Sequence, residues 1–268
     1  SQSIVADIEA DIALGSENLA RIVSTSDGMQ VTEDRLSANH HFSNVLFNVM
    51  RGGLFIDNYT VSKDDLIEFV KSFNSPVYEK FESFFADLED SFHYSDLIKA
   101  AGALGDAAVQ RLCYEYLPLS FSRRHGDPSR PWNKFNIQVK KDDGSKLLNY
   151  EGNWRDIFQN WEALSLSIPN FVESMISKFV NASTADGYNP YRITKAGIDW
   201  EKPDPHDPWA NIGYWGDHQI IYLLRLLETA EQFYPGSLSE KLNDTIYAYA
   251  DVPYRIASFE KICDNPRD

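Results

Sequence analysis

Cysteine is scarce in this chain: 268 residues carry only Cys113 and Cys263. Two thiols far apart offer neither a disulfide framework nor the close spacing of a thiolate metal site. Basic residues are outnumbered, 25 Lys and Arg against 40 Asp and Glu, which leaves a formal charge of −15. A nucleic-acid backbone requires a basic stripe. The one basic cluster, Ser122-Arg-Arg-His125 with Arg130, is short and reads as structural. No run of about 18 apolar residues occurs, so no membrane span is predicted. The N-terminus lacks the charged start and apolar stretch of a signal peptide. The expectation is a cytoplasmic protein with no nucleic-acid or membrane partner; nothing in the sequence indicates its oligomeric state.

What is present in quantity is apolar and aromatic material. At 43% hydrophobic content the chain can bury a sizeable core as one large domain or two small ones. Residues 4–24 place Ile4, Val5, Ile8, Ile12, Leu14, Leu19 and Ile22 at helical spacing, which predicts one helix or two short ones before the turn at 24–28. A second helix opens at Thr32-Glu-Asp-Arg35 and ends at Gly52-Gly53. His40 and His41 lie within it; adjacent helical residues point about 100° apart and cannot chelate one ion as an i, i+4 pair does. Ser62 with Asp65 predicts a capping-box variant for a helix over 63–73. Further helices are predicted at 76–90 and 95–116, with Cys113 in the core. The long polar loop 118–133 leads to Phe135–Val139, which alternates as a strand and predicts a small hairpin with Leu147-Leu148.

The second half continues with helices at 153–167 and 169–182, an irregular stretch of some thirty residues, and helices at 216–234 and 238–249. Helix and loop alternate at intervals of roughly forty residues, as in stacked helical hairpins. A mainly α fold with a small β hairpin follows. Its parts are an N-terminal helical segment, 1–117, and a segment carrying the site, 118–268.

Five of the six tryptophans fall between Trp154 and Trp215, interleaved with carboxylates, Gly and Pro. Indole and phenol rings beside acids and amides suit a sugar site better than a core. Arg155 and Asp156, at a helix start, present guanidinium donors and carboxylate acceptors that complement vicinal diols. The bland alternative is a first-turn Asp favouring the helix dipole and a surface ion pair. Asp217 has the same two readings at the start of the 216–234 helix, and His218 is equally a sugar or phosphate contact or a structural histidine. The loop acids Asp186, Asp199, Glu201, Asp204 and Asp207, with His206 and His218, lack compact ligand spacing, so no metal site is assigned.

At Trp154-Arg-Asp-Ile-Phe-Gln-Asn-Trp161 the sequence resembles the six-hairpin glycosidases, with the motif order of the cellobiose and chitobiose phosphorylases. Those enzymes carry an aromatic-Arg-Asp-x-x-Gln-Asp run at the head of a barrel helix. A glycine-rich aromatic loop and a Ser-Asp-Asp-x-x-aromatic-Leu stretch follow it. Here the order is Asn153-Trp-Arg-Asp156, then Asp186-Gly-Tyr-Asn-Pro-Tyr-Arg192, then Trp215-Gly-Asp-His-Gln-Ile-Ile-Tyr-Leu223, and finally Asp251-Val-Pro-Tyr254. The resemblance covers 150–255. It implies an (α/α) toroid of helical hairpins, complete or partial, and inverting cleavage of a glycosidic bond in an oligosaccharide by hydrolysis or phosphorolysis. No cofactor is implied, and inorganic phosphate is the co-substrate of a phosphorylase.

Asp217 and Glu201 are the candidate catalytic acids. Trp154, Arg155, Asp156, Gln159, Tyr188, Trp200, Trp209, Trp215 and His218 are the candidate substrate contacts. Two departures stand out: the family's Gln-Asp is Gln159-Asn160, and its Asp-Asp is Gly216-Asp217. Gly197-Ile-Asp-Trp-Glu201 is similar to the family's general-acid segment but precedes the Trp-Gly-Asp motif instead of following it. The chain is therefore expected to be part of a longer protein. The alternative reading is a non-catalytic helical carbohydrate-binding or scaffold module. Because inner helices of a toroid run alike, Trp154, Arg155, Asp156, Trp215 and Asp217 are expected to converge at one rim.

Overall fold

A computed structural model describes residues 2–30, 32–55, 57–121, 141–142, 147–200, 206, 219–252 and 258–264. It is mainly helical, with small antiparallel sheets. The predicted strand at 135–139 lies outside the described residues.

The chain opens with α1 (Gln2–Ser24), a single helix, and α2 (Arg35–Gly52). Asp34 caps α2 by accepting from the amides of Leu36 and Ser37, which satisfies two of the donors a helix start leaves unpaired. Gly52 ends α2 where it meets a later helix. A Cβ there would lie 2.4 Å from the Leu164 Cβ and 2.8 Å from the Asn160 carbonyl, so only glycine permits that approach.

Next come β1 (Leu54–Phe55), β2 (Thr60–Ser62), α3 (Lys63–Lys80), α4 (Glu82–Ala86) and β3 (Ser91–His93). The predicted break near 73–76 is a kink inside α3. Asn74 leaves helical geometry, and its side chain accepts from the Val77 amide at 3.2 Å, so Pro76 sits in a fresh first turn. Ser62 stands at the N-cap of α3 but its side chain makes no capping bond. The predicted capping box is therefore not formed, because Asp65 is drawn into tertiary contacts.

The single helix predicted at 95–116 is two: α5 (Tyr94–Leu104) and α6 (Ala107–Glu115). Gly105 adopts φ 71°, a left-handed cap, and Asp106 then accepts from the amides of Ala108 and Val109 at 3.0 and 3.1 Å. Stop and start signals in adjacent residues outweigh the Ala-rich helical propensity around them.

β4 (Leu119–Ser120) is followed by β5 (Glu151–Asn153), α7 (Trp154–Ser165), a 3₁₀ turn (Pro169–Phe171) and α8 (Val172–Ala182). β6 (Arg192–Thr194) and β7 (Gly197–Asp199) lie in the stretch expected to be irregular. They form a hairpin whose Ile193↔Ile198 pair and two-residue turn, Lys195-Ala196, are a local strand signal. β5 completes this sheet, with Asn153 opposite Arg192. β1 pairs with β4 and β2 with β3, all antiparallel.

α9 (Ile220–Phe233), α10 (Ser237–Lys241) and α11 (Phe259–Asp264) follow. The helix predicted over 238–249 stops at Lys241. Beyond it the chain turns back to the end of α8, where the Ala248 amide donates to the Asn181 side chain and the Ala250 amide to the Ser183 carbonyl, both at 2.9 Å.

One buried cluster reaches from Val23 to Ala230 and takes side chains from both halves. At its centre Phe171 stacks on Phe55 and packs on Tyr94, with ring centroids 4.4 and 4.6 Å apart. Burying each such ring contributes about 2 kcal/mol or more. Cys113 belongs to this core, and burial pushes its thiol up to about 12.

Candidate functional site

The start of α7 is held by the three-stranded sheet. The Trp154 amide donates to the Tyr191 carbonyl and the Tyr191 amide to the Asp199 carbonyl, both at 3.0 Å. Arg192 locks the ladder, bonding Glu151 at 2.7 Å through Nη1 and Asp199 at 2.8 Å through Nε. Trp200 follows directly on this ladder and is half-buried, so it lies at the same end as Trp154, Arg155 and Asp156. Arg155 is half-exposed, with its Nε 3.5 Å from Asp156, whose carboxylate is buried. Gln159 is exposed, one turn further along. Trp154 is only 1% exposed, its ring packed on Phe158 and Phe179 at 4.6 and 5.2 Å between centroids. It contributes to the core and presents no open stacking face. Tyr188 is half-buried in a turn closed by reciprocal bonds with Thr184.

α9 runs parallel to α7. Tyr234, at the end of α9, donates to Asn170 just past the end of α7, and Arg225 feels the charge of Glu162. The residue pairs keep nearly constant sequence offset in the same direction. The start of α9, with the buried Gln219, thus lies at the same end as the start of α7. Glu201, Trp209, Trp215, Asp217 and His218 lie outside the described residues, so their convergence with Arg155 is not part of the observed geometry.

Two concave features flank the three-stranded sheet, and neither was singled out from the sequence. The larger is an open cleft of about 610 Å³ between the start of α3 and the β6–β7 turn. Asp64, Asp65 and Glu68 line one wall, Asn149, Thr194 and Lys195 the other, and Phe69, Leu147 and Leu148 supply apolar surface. Asp65 organises it, accepting from the Tyr116 hydroxyl at 2.6 Å and pairing with Lys195. Burial, reinforced by the charge of Asp65, raises the Tyr116 phenol well above its ordinary range. Acceptors, an amide and an ammonium beside apolar patches can serve the hydroxyls and C–H faces of a sugar together. Asp64-Asp65 is visible in the sequence, but as helix-start acids; its approach to residue 195 has no local signal.

The smaller is a cavity of about 90 Å³ lined by Arg111, Glu115, Lys178 and Asn181 with apolar neighbours. Lys178 is 3% exposed, and burial brings its ammonium down to about 8. Among the described residues no group of His, Cys, Asp and Glu is arranged to hold a metal ion. No described helix is long and apolar enough to cross a membrane.

Residues 55–118 match the family model of Glycoside hydrolase family 149 insertion domain 1. No curated protein matches the chain. The match likens residues 55–118 to an insertion domain of a glycoside hydrolase family, and so carries no catalytic assignment by itself. It falls in the first half, outside 150–255. The matched segment supplies Asp64, Asp65 and Glu68 to the cleft and Arg111 and Glu115 to the small cavity.

Proposed function

We propose that this chain binds an oligosaccharide and takes part in cleaving a glycosidic bond, by hydrolysis or phosphorolysis with inversion. The observation that supports the reading is the match of residues 55–118 to a glycoside hydrolase insertion domain, a segment whose Asp64, Asp65 and Glu68 face Thr194 and Lys195 across a polar cleft. In this reading the helical hairpins belong to an (α/α) toroid like that of the cellobiose and chitobiose phosphorylases. Arg155 and Asp156 grip sugar hydroxyls, Trp200 offers a stacking face, and Asp217 with Glu201 supply the acid chemistry. Inversion requires an acid on the leaving oxygen and a water or phosphate on the opposite face of the ring.

A second reading, a non-catalytic carbohydrate-binding module, draws on the match being to an insertion domain and on Asn160 standing where the resembled enzymes carry an acid. Calorimetric titration with β- and α-linked oligosaccharides, with and without phosphate, tests both. Binding with turnover supports the enzyme, and binding without turnover supports the module. The absence of binding to any oligosaccharide sinks both.

A further inference from the structure

α1 is anchored to the fold at its C-terminal end. Val23 is buried and Ile22 packs against the core, whereas every residue from Ser3 to Glu17 is exposed. A surface helix of a globular protein turns its apolar stripe inward. Here Val5, Ile8, Ile12 and Leu19 remain 41% to 65% exposed among the described residues. Val5, Ile8, Ile12, Gly15, Leu19 and Ile22 follow one another at alternating intervals of three and four residues. That is the seven-residue repeat that holds one narrow seam against a second helix.

Side-chain size along the seam points to which helix. Laid antiparallel against a copy of itself, with Val5 opposite the partner's Ile22, α1 matches at every layer. Ile8 then faces the partner's Leu19, Ile12 faces the partner's Gly15, and the two-fold axis repeats each pair in reverse. Nothing lies within 4 Å of where a Cβ would stand on Gly15, so an isoleucine of the second copy has room there and the helices can approach closely. A parallel pair would instead set glycine against glycine and leave a gap at mid-seam.

Charge agrees with the same register. Glu9 falls beside the partner's Ser16 and Asp11 beside the partner's Asn18, so no acid meets an acid across the seam. This matters in a helix whose Asp7, Glu9, Asp11 and Glu17 are balanced only by Arg21, within a chain of formal charge −15. Because the fold is attached at the C-terminal end of α1, antiparallel pairing also puts the two bodies at opposite ends of a seam about 27 Å long, at about 1.5 Å per residue.

We propose that two copies of this chain associate through an antiparallel pair of α1 helices, with Ile12 and Gly15 flanking the two-fold axis. The contact uses no residue of the oligosaccharide site, so the two stand or fall separately. Its seam is small, at the weak end of specific association.

Sedimentation velocity of the whole chain measures the pairing. The wild type is expected to be half dimeric at about 10 µM, and to shift toward dimer as salt is raised, because screening relieves the repulsion between two acidic bodies. Ile12→Asp is expected to weaken association about tenfold or more. Leu14→Asp, also exposed on α1 but off the seam, leaves it unchanged. Register is read by oxidising single-cysteine variants in a Cys263→Ser background, Cys113 being buried. Ile8→Cys mixed with Leu19→Cys gives the cross-linked dimer, and neither variant alone reaches that yield. A wild type still monomeric at about 100 µM, or association that weakens with salt, overturns the proposal. So does an Ile12→Asp protein that dimerises as the wild type does, or a Leu14→Asp protein that loses the dimer as fully as Ile12→Asp. Should an aspartate variant fail to fold, the cross-linking decides: Ile8→Cys joining itself as readily as it joins Leu19→Cys overturns the antiparallel pair.

Discussion

Lys195, in the turn between β6 and β7, forms an ion pair with Asp65 in the first turn of α3, and Asp65 also accepts from Tyr116 at 2.6 Å. Both members of the pair are 14% exposed at the side chain, so water screens them little. The contact ties the segment related to a glycoside hydrolase family to the sheet that delivers the chain into α7. Asp65→Asn is expected to destabilise the protein by about 2 kcal/mol, because it leaves the Lys195 charge unpaired. Lys195→Met is expected to cost about 1 kcal/mol, since it leaves a carboxylate that Tyr116 still satisfies. Denaturant midpoints of the two variants read the difference, and equal midpoints for Asp65→Asn and wild type refute the linkage.

Lys178 makes stability depend on alkaline pH. Its folded value, about 8, lies below the ordinary 10.5, so above pH 8 the unfolded chain binds more protons than the native one and stability rises with pH. The slope approaches about 1.4 kcal/mol per pH unit at its steepest. Cys113 opposes it from about pH 9, because its thiol stays protonated in the fold up to about 12. The buried phenols of Tyr94, Tyr116 and Tyr150, all raised by burial, reverse it above about pH 10. The expected profile climbs from pH 8 to 9, flattens, then falls. Subtracting the profile of Lys178→Met isolates the lysine, and a difference that is flat between pH 8 and 10 contradicts the assignment.

Arg155 separates the sugar-contact reading from the ion-pair reading. Its side chain is 34% exposed, with Nε 3.5 Å from Asp156. Arg155→Ala is expected to weaken oligosaccharide binding about tenfold, roughly 1.4 kcal/mol, with Tm within about 2 °C of wild type. Unchanged affinity assigns Arg155 to the surface.

The junction of α5 and α6 gives a local test. Asp106→Ala removes two capping bonds at 3.0 and 3.1 Å and is expected to cost about 1 kcal/mol. Asp106→Asn, which keeps an acceptor, is expected to recover most of it. Urea unfolding of both variants checks the order.

Most helices were legible because their signals are local. Apolar spacing, Asp34, the Gly52-Gly53 pair and Pro169 mark α1, α2, α7 and α8 through residues within a few positions of one another. Local signals also misled where two competed. Gly105 and Asp106 were outvoted by the alanines around them, and the Ile193–Ile198 hairpin was hidden within a stretch marked by Gly, Pro and charge.

The sequence by itself determined a helical fold and an aromatic helix start at Trp154-Arg-Asp156, since period, caps and side-chain chemistry are properties of neighbouring residues. Tertiary structure alone decided that Trp154 is covered by Phe158 and Phe179, and that Asp65 meets Lys195 instead of capping its own helix. It also enclosed Lys178 between rings from α3 and from the lead-in to β5. The reason is physical: these contacts join residues many turns apart. Which partner a buried charge or ring acquires depends on how whole helices pack, a relation that no local window of sequence contains.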